Sequence, residues 1–243
     1  MNTPYTSDEL FHFVGFNSAS DDDINYLKLL KILRDCWISY WPHNQDWGEV
    51  SVTTNWDGFL QREELIVPSV TCFADIPSGS LGIHTTKYGK FGISFPRDYL
   101  TQYGARPVMY VPLRNDDWGS PHGTTLLKNL EAIYKSFHNL VINELPDTPQ
   151  QSRSLGAEPE NKAAALSAMN NVFAKDFLAF IKPFNSHLAT GHEKNYYMER
   201  EWRKYGNLRC NLEDISQIWV AKGYAAKLAQ ELPNYAAKIK EFG

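Results

Sequence analysis

Glu199, Glu201 and Arg203 stand two residues apart in "YYMEREWRKYG" (196–206). On an extended chain that spacing puts all three side chains on one face, with Met198, Arg200 and Trp202 on the other. Two carboxylates beside a guanidinium have two uses. A carboxylate held at a reacting centre stabilises developing positive charge or moves a proton. The same groups also make a Glu–Arg ladder on a sheet face, where they neutralise one another and perform no reaction. His12 lies inside "LFHFVG" (10–15), a run of large apolar residues. A histidine there either donates to a ligand or is a packed core residue that has found a partner. In "VTCFADIPSGSLGIHTTKYGKFGISF", Ser78 and Ser80 flank Gly79. Small hydroxyl residues after a strand let a ligand approach the backbone, and they serve equally as caps for the segment that follows. His187, His192 and Glu193 lie in a polar stretch without a second ligand pair, so they read as solvated groups, not as a metal site. No glycine-rich dinucleotide loop, phosphate loop, nucleophile elbow or H-E-x-x-H helix is present.

The elements that must position these residues follow from periodicity. "LFHFVG" reads as a first strand. "SASDDD" offers N-cap residues and dipole-matched carboxylates for a helix whose apolar face is Tyr26, Leu29, Leu30 and Leu33. "CWISYW" is a short extended piece, and 42–64, with Trp47 and Trp56, is polar and irregular. Strands are expected at 69–76, 91–95 and 107–112, with a short helix from Pro96 to Gly104. A long helix begins near Thr124 and carries Leu126, Leu130, Ile133, Tyr134, Phe137, Leu140 and Val141 on one stripe. The Pro-, Ser- and Gln-rich 144–161 reads as a mobile loop and a partner or substrate contact, or equally as a plain surface insertion. A second helix carries Leu166, Met169, Phe173, Phe177, Phe180 and Ile181. Strands at 196–206, 208–212 and 216–221 and an Ala/Lys-rich helix close the chain. Strands divided by a helical middle predict an α+β fold with a mostly antiparallel sheet.

The 243 residues are 43% apolar, enough for one large domain. With 24 basic against 28 acidic residues, a net charge of −4 excludes wholesale electrostatic coating of nucleic acid, though not a local basic groove. Three widely spaced cysteines, Cys36, Cys72 and Cys210, read as reduced thiols of a cytoplasmic protein. "MNTPYTSDEL" has neither the basic nor the apolar region of a secretory signal, and no apolar run reaches membrane-spanning length.

Taken in order, "LFHFVG", "ILRDCWIS", "CFADIPSGS" and a late strand glutamate resemble the ADP-ribosyltransferase scheme of the poly(ADP-ribose) polymerase branch. Cys72 stands where that family has a tyrosine before "F-A-D", so Tyr88 or Tyr40 would supply the ring. A second resemblance covers about two hundred residues. "LFHFVG…LLKILRD", "CFADIP", "KYGKFGISFPRDYLTQYGARPVMYVP" and "EREWR" are similar to the landmarks of the bacterial abortive-infection AbiGi family, a phage-defence family that often carries the label antitoxin.

Together the resemblances imply a single domain, 1–243, with a split, mostly antiparallel sheet of ADP-ribosyltransferase type and a helical insertion at about 124–190. They imply an NAD-dependent ADP-ribosyltransferase acting as a phage-defence toxin. NAD is its substrate, a macromolecule (RNA, DNA or protein) is its acceptor, and an antitoxin is its inhibitory partner. In that scheme His12 holds the nicotinamide ribose, Phe13 is a further NAD-binding residue, and Ser80 contacts the carboxamide. Phe73 or Tyr88 walls the ring, and Arg106 and Arg203 meet the pyrophosphate. Glu201 stabilises the oxocarbenium-like charge and Glu199 prepares the acceptor. Two other expectations stand beside it: a non-enzymatic antitoxin or partner-binding protein, and an NAD hydrolase. The first predicts that the glutamates pair with arginines instead of lining a pocket with His12.

Overall fold

The computed structural model describes residues 7–40, 52–54, 66–113, 122–144, 162–185, 188–189, 192 and 199–242. In chain order the first elements are β1 (Glu9–Phe13), α1 (Asp22–Asp35), β2 (Trp37–Ile38), β3 (Val52–Thr54), β4 (Ile66–Pro68) and β5 (Val70–Ala74). They are followed by α2 (Gly82–Tyr88), β6 (Gly92–Pro96), α3 (Arg97–Gln102), β7 (Arg106–Pro107), β8 (Met109–Leu113) and α4 (His122–Glu144). The last are α5 (Lys162–Ala168), β9 (Ile181–Asn185), β10 (Glu201–Tyr205), β11 (Leu208–Arg209), β12 (Gln217–Val220), α6 (Ala225–Glu231) and β13 (Ile239–Glu241). The chain divides into two compact units: Met1–Gly48, Val70–Val108 and Ala189–Gly243, and separately Glu49–Ser69 with Met109–Leu188.

The first unit is built on a seven-stranded sheet in the order β13-β12-β6-β1-β5-β10-β7. Every pairing is antiparallel except β12 with β13. The α+β class and the mostly antiparallel sheet are therefore as expected. Alternation along the strands gives the sheet two apolar faces. Leu10, Phe73, Ile93, Phe95, Ile218 and Val220 lie in one core cluster with Tyr26, Leu29, Leu30 and Leu33 of α1, Leu100 of α3 and Leu228 of α6. Burying each of these large side chains contributes about 1.5–3 kcal/mol. The opposite face carries a smaller cluster of Phe11, Ala74, Ile76 and Leu81, with Phe13, Trp219 and Phe242 against it.

Helix α1 starts where the sequence predicts. The Asp21 carboxylate accepts from the Ile24 N–H, with Asp22 and Asp23 in the first turn. The helix ends at Cys36, whose backbone is left-handed at φ 53°.

In the second unit β3 pairs antiparallel with β4, and β8 pairs parallel with β9. Ile66, Val111, Leu127, Leu130, Leu178 and Ile181 form its main cluster, with Val141, Ala165 and Met169 in a smaller one.

Five elements differ from expectation. Val52–Thr54, inside the stretch read as irregular, is a strand, while the rest of 42–64 lies outside the described residues. The strand expected at 107–112 is two, β7 and β8, in different sheets: Val108 still donates its N–H to the Glu201 carbonyl of β10, and from Met109 the chain pairs with β9 instead. The second middle helix is α-helical only over Lys162–Ala168. It widens into a π-helical stretch, Met169–Phe177, tightens to 3-10 over Leu178–Phe180, and passes into β9 at Ile181. The closing helix stops at Glu231 because Pro233 cannot continue it; a 3-10 stretch (Pro233–Lys238) leads to β13. Finally, the α4 stripe is two faces. Leu127, Leu130 and Val141 are buried, while Leu126, Ile133, Phe137 and Leu140 are exposed. The 145–161 segment, Trp47, Trp56, His187 and Glu193 lie outside the described residues.

Candidate functional site

Strand β10 is shorter than its sequence suggests, and this changes the site. Its regular pairing begins at Glu201, since Arg200 has a left-handed backbone at φ 46°. The alternation that would place Glu199 on the face of Glu201 is broken there. Residues 193–198 lie outside the described residues. The turn at Arg200 is fixed by pairing: its guanidinium donates to Asp75 at 3.2 Å, and its carbonyl accepts from the Asp75 N–H. Asp75 is buried and also accepts from Arg97 at 3.2 Å and from the Ser7 N–H at 3.0 Å.

Register decides which side chains can meet. Ala74 of β5 is opposite Phe11 of β1 on one side and Glu201 of β10 on the other. Phe11, Ala74 and Glu201 therefore share a face. His12, one residue on from Phe11, points to the opposite face, the one that carries Leu10 and Phe73. The sheet thus lies between His12 and Glu201. His12 itself is satisfied locally: its Nδ1–H donates to the Cys72 carbonyl at 2.9 Å and its ring lies 5.8 Å from Phe73. Phe73 is only 2% exposed and belongs to the core.

Glu201 faces Arg203, whose Nε–H donates to its Oε1 at 2.6 Å; both side chains are buried. Arg106 is opposite Arg203 in the register and exposed. Glu199, also buried, takes two donors on one oxygen: Lys87 Nζ at 2.5 Å and the Tyr88 hydroxyl. Burial pushes the Tyr88 phenol well above its ordinary value, and the Glu199 and Glu201 carboxylates add to the shift, so the hydroxyl stays a donor. Tyr88 sits 6.3 Å from Phe13 and 6.2 Å from His84, with His84 and Phe13 themselves 6.2 Å apart. A glycine makes this approach feasible. A Cβ on Gly15 would stand 2.0 Å from the Tyr88 carbonyl oxygen.

The structure therefore gathers Phe13, Tyr88, Glu199 and Glu201 on one side of the sheet, with Arg203 and Arg106 along the same face of β10 and β7. It leaves His12 and Phe73 on the other. Ser80 ends an exposed 3-10 turn, Ser78–Ser80, and among the described residues its side chain makes no hydrogen bond to either group. Tyr40 is buried after β2, with its N–H on the Asn207 side-chain oxygen. Sequence reasoning missed Lys87 and His84. The signal was there: His84 and Tyr88 are four apart on one helix, and Lys87 adjoins them. His84 is buried, and among the described residues neither ring nitrogen has a hydrogen-bond partner. Burial lowers its pKa from 6.5; Glu199 opposes the shift and Lys87 adds to it. Among the described residues no group of three His, Cys, Asp or Glu is placed to hold a metal, and no helix is long and apolar enough to cross a membrane.

A family model described as "Putative abortive phage resistance protein AbiGi, antitoxin" matches residues 59–242. No curated protein and no solved structure matches the chain. This corrects the expected function. The description names an antitoxin, the role that had been given to the partner, where a toxin with transferase activity was expected. The resemblance to poly(ADP-ribose) polymerases finds no support in these comparisons.

Proposed function

Since the chain belongs to the AbiGi family, we propose that it is the antitoxin of an abortive-infection system, acting without catalysis by binding its cognate toxin. The family match over residues 59–242 carries this reading. The site geometry supports it. Glu201 is neutralised by Arg203 and Glu199 by Lys87 and Tyr88, as expected of groups that hold the fold. His12 is on the opposite face of the sheet from Glu201 and the α2 cluster, bound to a backbone carbonyl. An antitoxin needs a stable surface, and buried, mutually satisfied charges supply rigidity. The protein acts in the cytosol, where Cys36, Cys72 and Cys210 stay as thiols.

The test is co-expression with the toxin encoded in the same system, during phage challenge. The expected result is that the chain alone is harmless, that it restores growth in the presence of the toxin, and that the toxin co-purifies with it. Folded Glu201→Gln protein should restore growth as well as the native chain. Growth arrest by this chain alone, relieved by Glu201→Gln, would overturn the reading.

A further inference from the structure

We propose that α4 is a dimerisation helix, packing antiparallel against α4 of a second copy across a two-fold axis at Ile133. The proposal stands apart from the antitoxin reading and rests on the second compact unit alone. Leu126, Ile133, Phe137 and Leu140 are 39%, 59%, 41% and 56% exposed. At about 100° per residue they fall within an arc of roughly 60°, one narrow stripe. It adjoins the face of Leu127, Leu130 and Val141, about 20° away at its nearest edge, which is buried in the unit's own core.

The occupant follows from symmetry, charge and area. A two-fold interface brings the same patch together on both subunits, so the patch must match itself. Leu126 and Leu140 lie seven residues before and after Ile133, and Ile133 is the midpoint of His122–Glu144. An antiparallel pair centred there overlaps the helices along their whole length. Leu126 meets Leu140 of the second copy, Ile133 meets its own counterpart, and Phe137 covers the neutral Asn129. The exposed flank of the stripe is the uncharged Asn129, Ser136 and Asn143, and the one charge on the stripe's own line, Glu144, is the last residue of the helix, farthest from the axis. Lys128, Glu131 and Lys135 lie on the far side of the helix, where Lys135 and Glu131 pair with each other at 2.6 Å. Like charges are therefore kept away from the axis, and a copy of this face is its own electrostatic complement. The four apolar side chains expose roughly 300–400 Å², the size of the largest apolar patch on a typical monomer, which is often a functional one. With their neutral flanks on both copies they reach about 1,000 Å², the lower limit for a specific interface.

Light scattering on the full chain during size-exclusion chromatography, at micromolar concentration, tests this. The expected mass is twice 27.8 kDa. Ile133→Glu sets two carboxylates face to face on the axis and should weaken self-association about 100-fold or more. Leu126→Glu alone should also give monomer. Leu126→Glu combined with Leu140→Lys should restore the dimer, because each new carboxylate then meets a new ammonium across the axis. All three changes are at exposed positions, and unchanged helicity by circular dichroism confirms that the variants fold. A monomeric native chain, a dimer indifferent to Ile133→Glu, or a double variant that stays monomeric each overturns the proposal. A native chain that is monomeric but loses toxin neutralisation on Ile133→Glu would assign the stripe to the toxin instead, leaving the antitoxin reading intact.

Discussion

At the scale of single residues, the candidate site is a set of charges answering one another inside a sheet face. Glu201 and Arg203 are 5% and 7% exposed, so removing one takes an opposite charge from the other in a poorly solvated place. Arg203→Met should cost about 3 kcal/mol in urea unfolding, and adding Glu201→Leu should recover most of it, because an apolar pair of similar volume replaces a buried ion pair at little net loss. His84 makes stability depend on pH. Its folded pKa lies below the unfolded 6.5. Its contribution is therefore complete above pH 6.5 and is lost as pH falls from there through the folded value. Native protein should lose stability relative to His84→Phe when urea midpoints are compared from about pH 7.5 down to 5.5. The Glu201–Arg203 pair was legible in the sequence, since two residues of strand bring them side by side. The Lys87–Glu199 contact was not, because 112 residues separate the partners and only the fold unites them.

Elements were legible where one periodicity ran unbroken. The buried face of α1 (Tyr26, Leu29, Leu30, Leu33) and its cap at Asp21 follow directly from spacing and side-chain chemistry. They failed where a single residue changed the backbone. Arg200, held left-handed by its bond to Asp75, ends the regular strand, so Glu199 reaches the side of Glu201 through Lys87 and Tyr88 and not by alternation, and nothing in "MEREWR" announces it. In α4 the apolar residues were read as one stripe, though two faces share the pattern and only packing distinguishes them. The end of α1 provides a test of such backbone effects. Cys36 adopts a conformation that favours glycine while its N–H caps the Ile32 carbonyl. Cys36→Gly should be more stable than Cys36→Ala by about 1 kcal/mol in thermal unfolding, since alanine keeps the left-handed strain and glycine removes it.

For the molecule as a whole, composition and pattern gave the class and the antiparallel character of the main sheet, but not its strand order. Order is set by which edges find partners, and here those partners are far apart in the chain. Strand β1 sits between β6 and β5, all three available once Pro96 has been made. The outer edges of that trio are closed by β10 and β12, which begin at Glu201 and Gln217. At a synthesis rate of about 5–20 residues per second, the intervening hundred or so residues take roughly 5–20 s to leave the ribosome. Through that interval β5 and β6 present unsatisfied backbone to the surroundings, the condition under which strands recruit strangers. The nascent chain is most exposed to pairing with its neighbours on the same messenger just before β10 and β12 emerge, and most in need of a chaperone then.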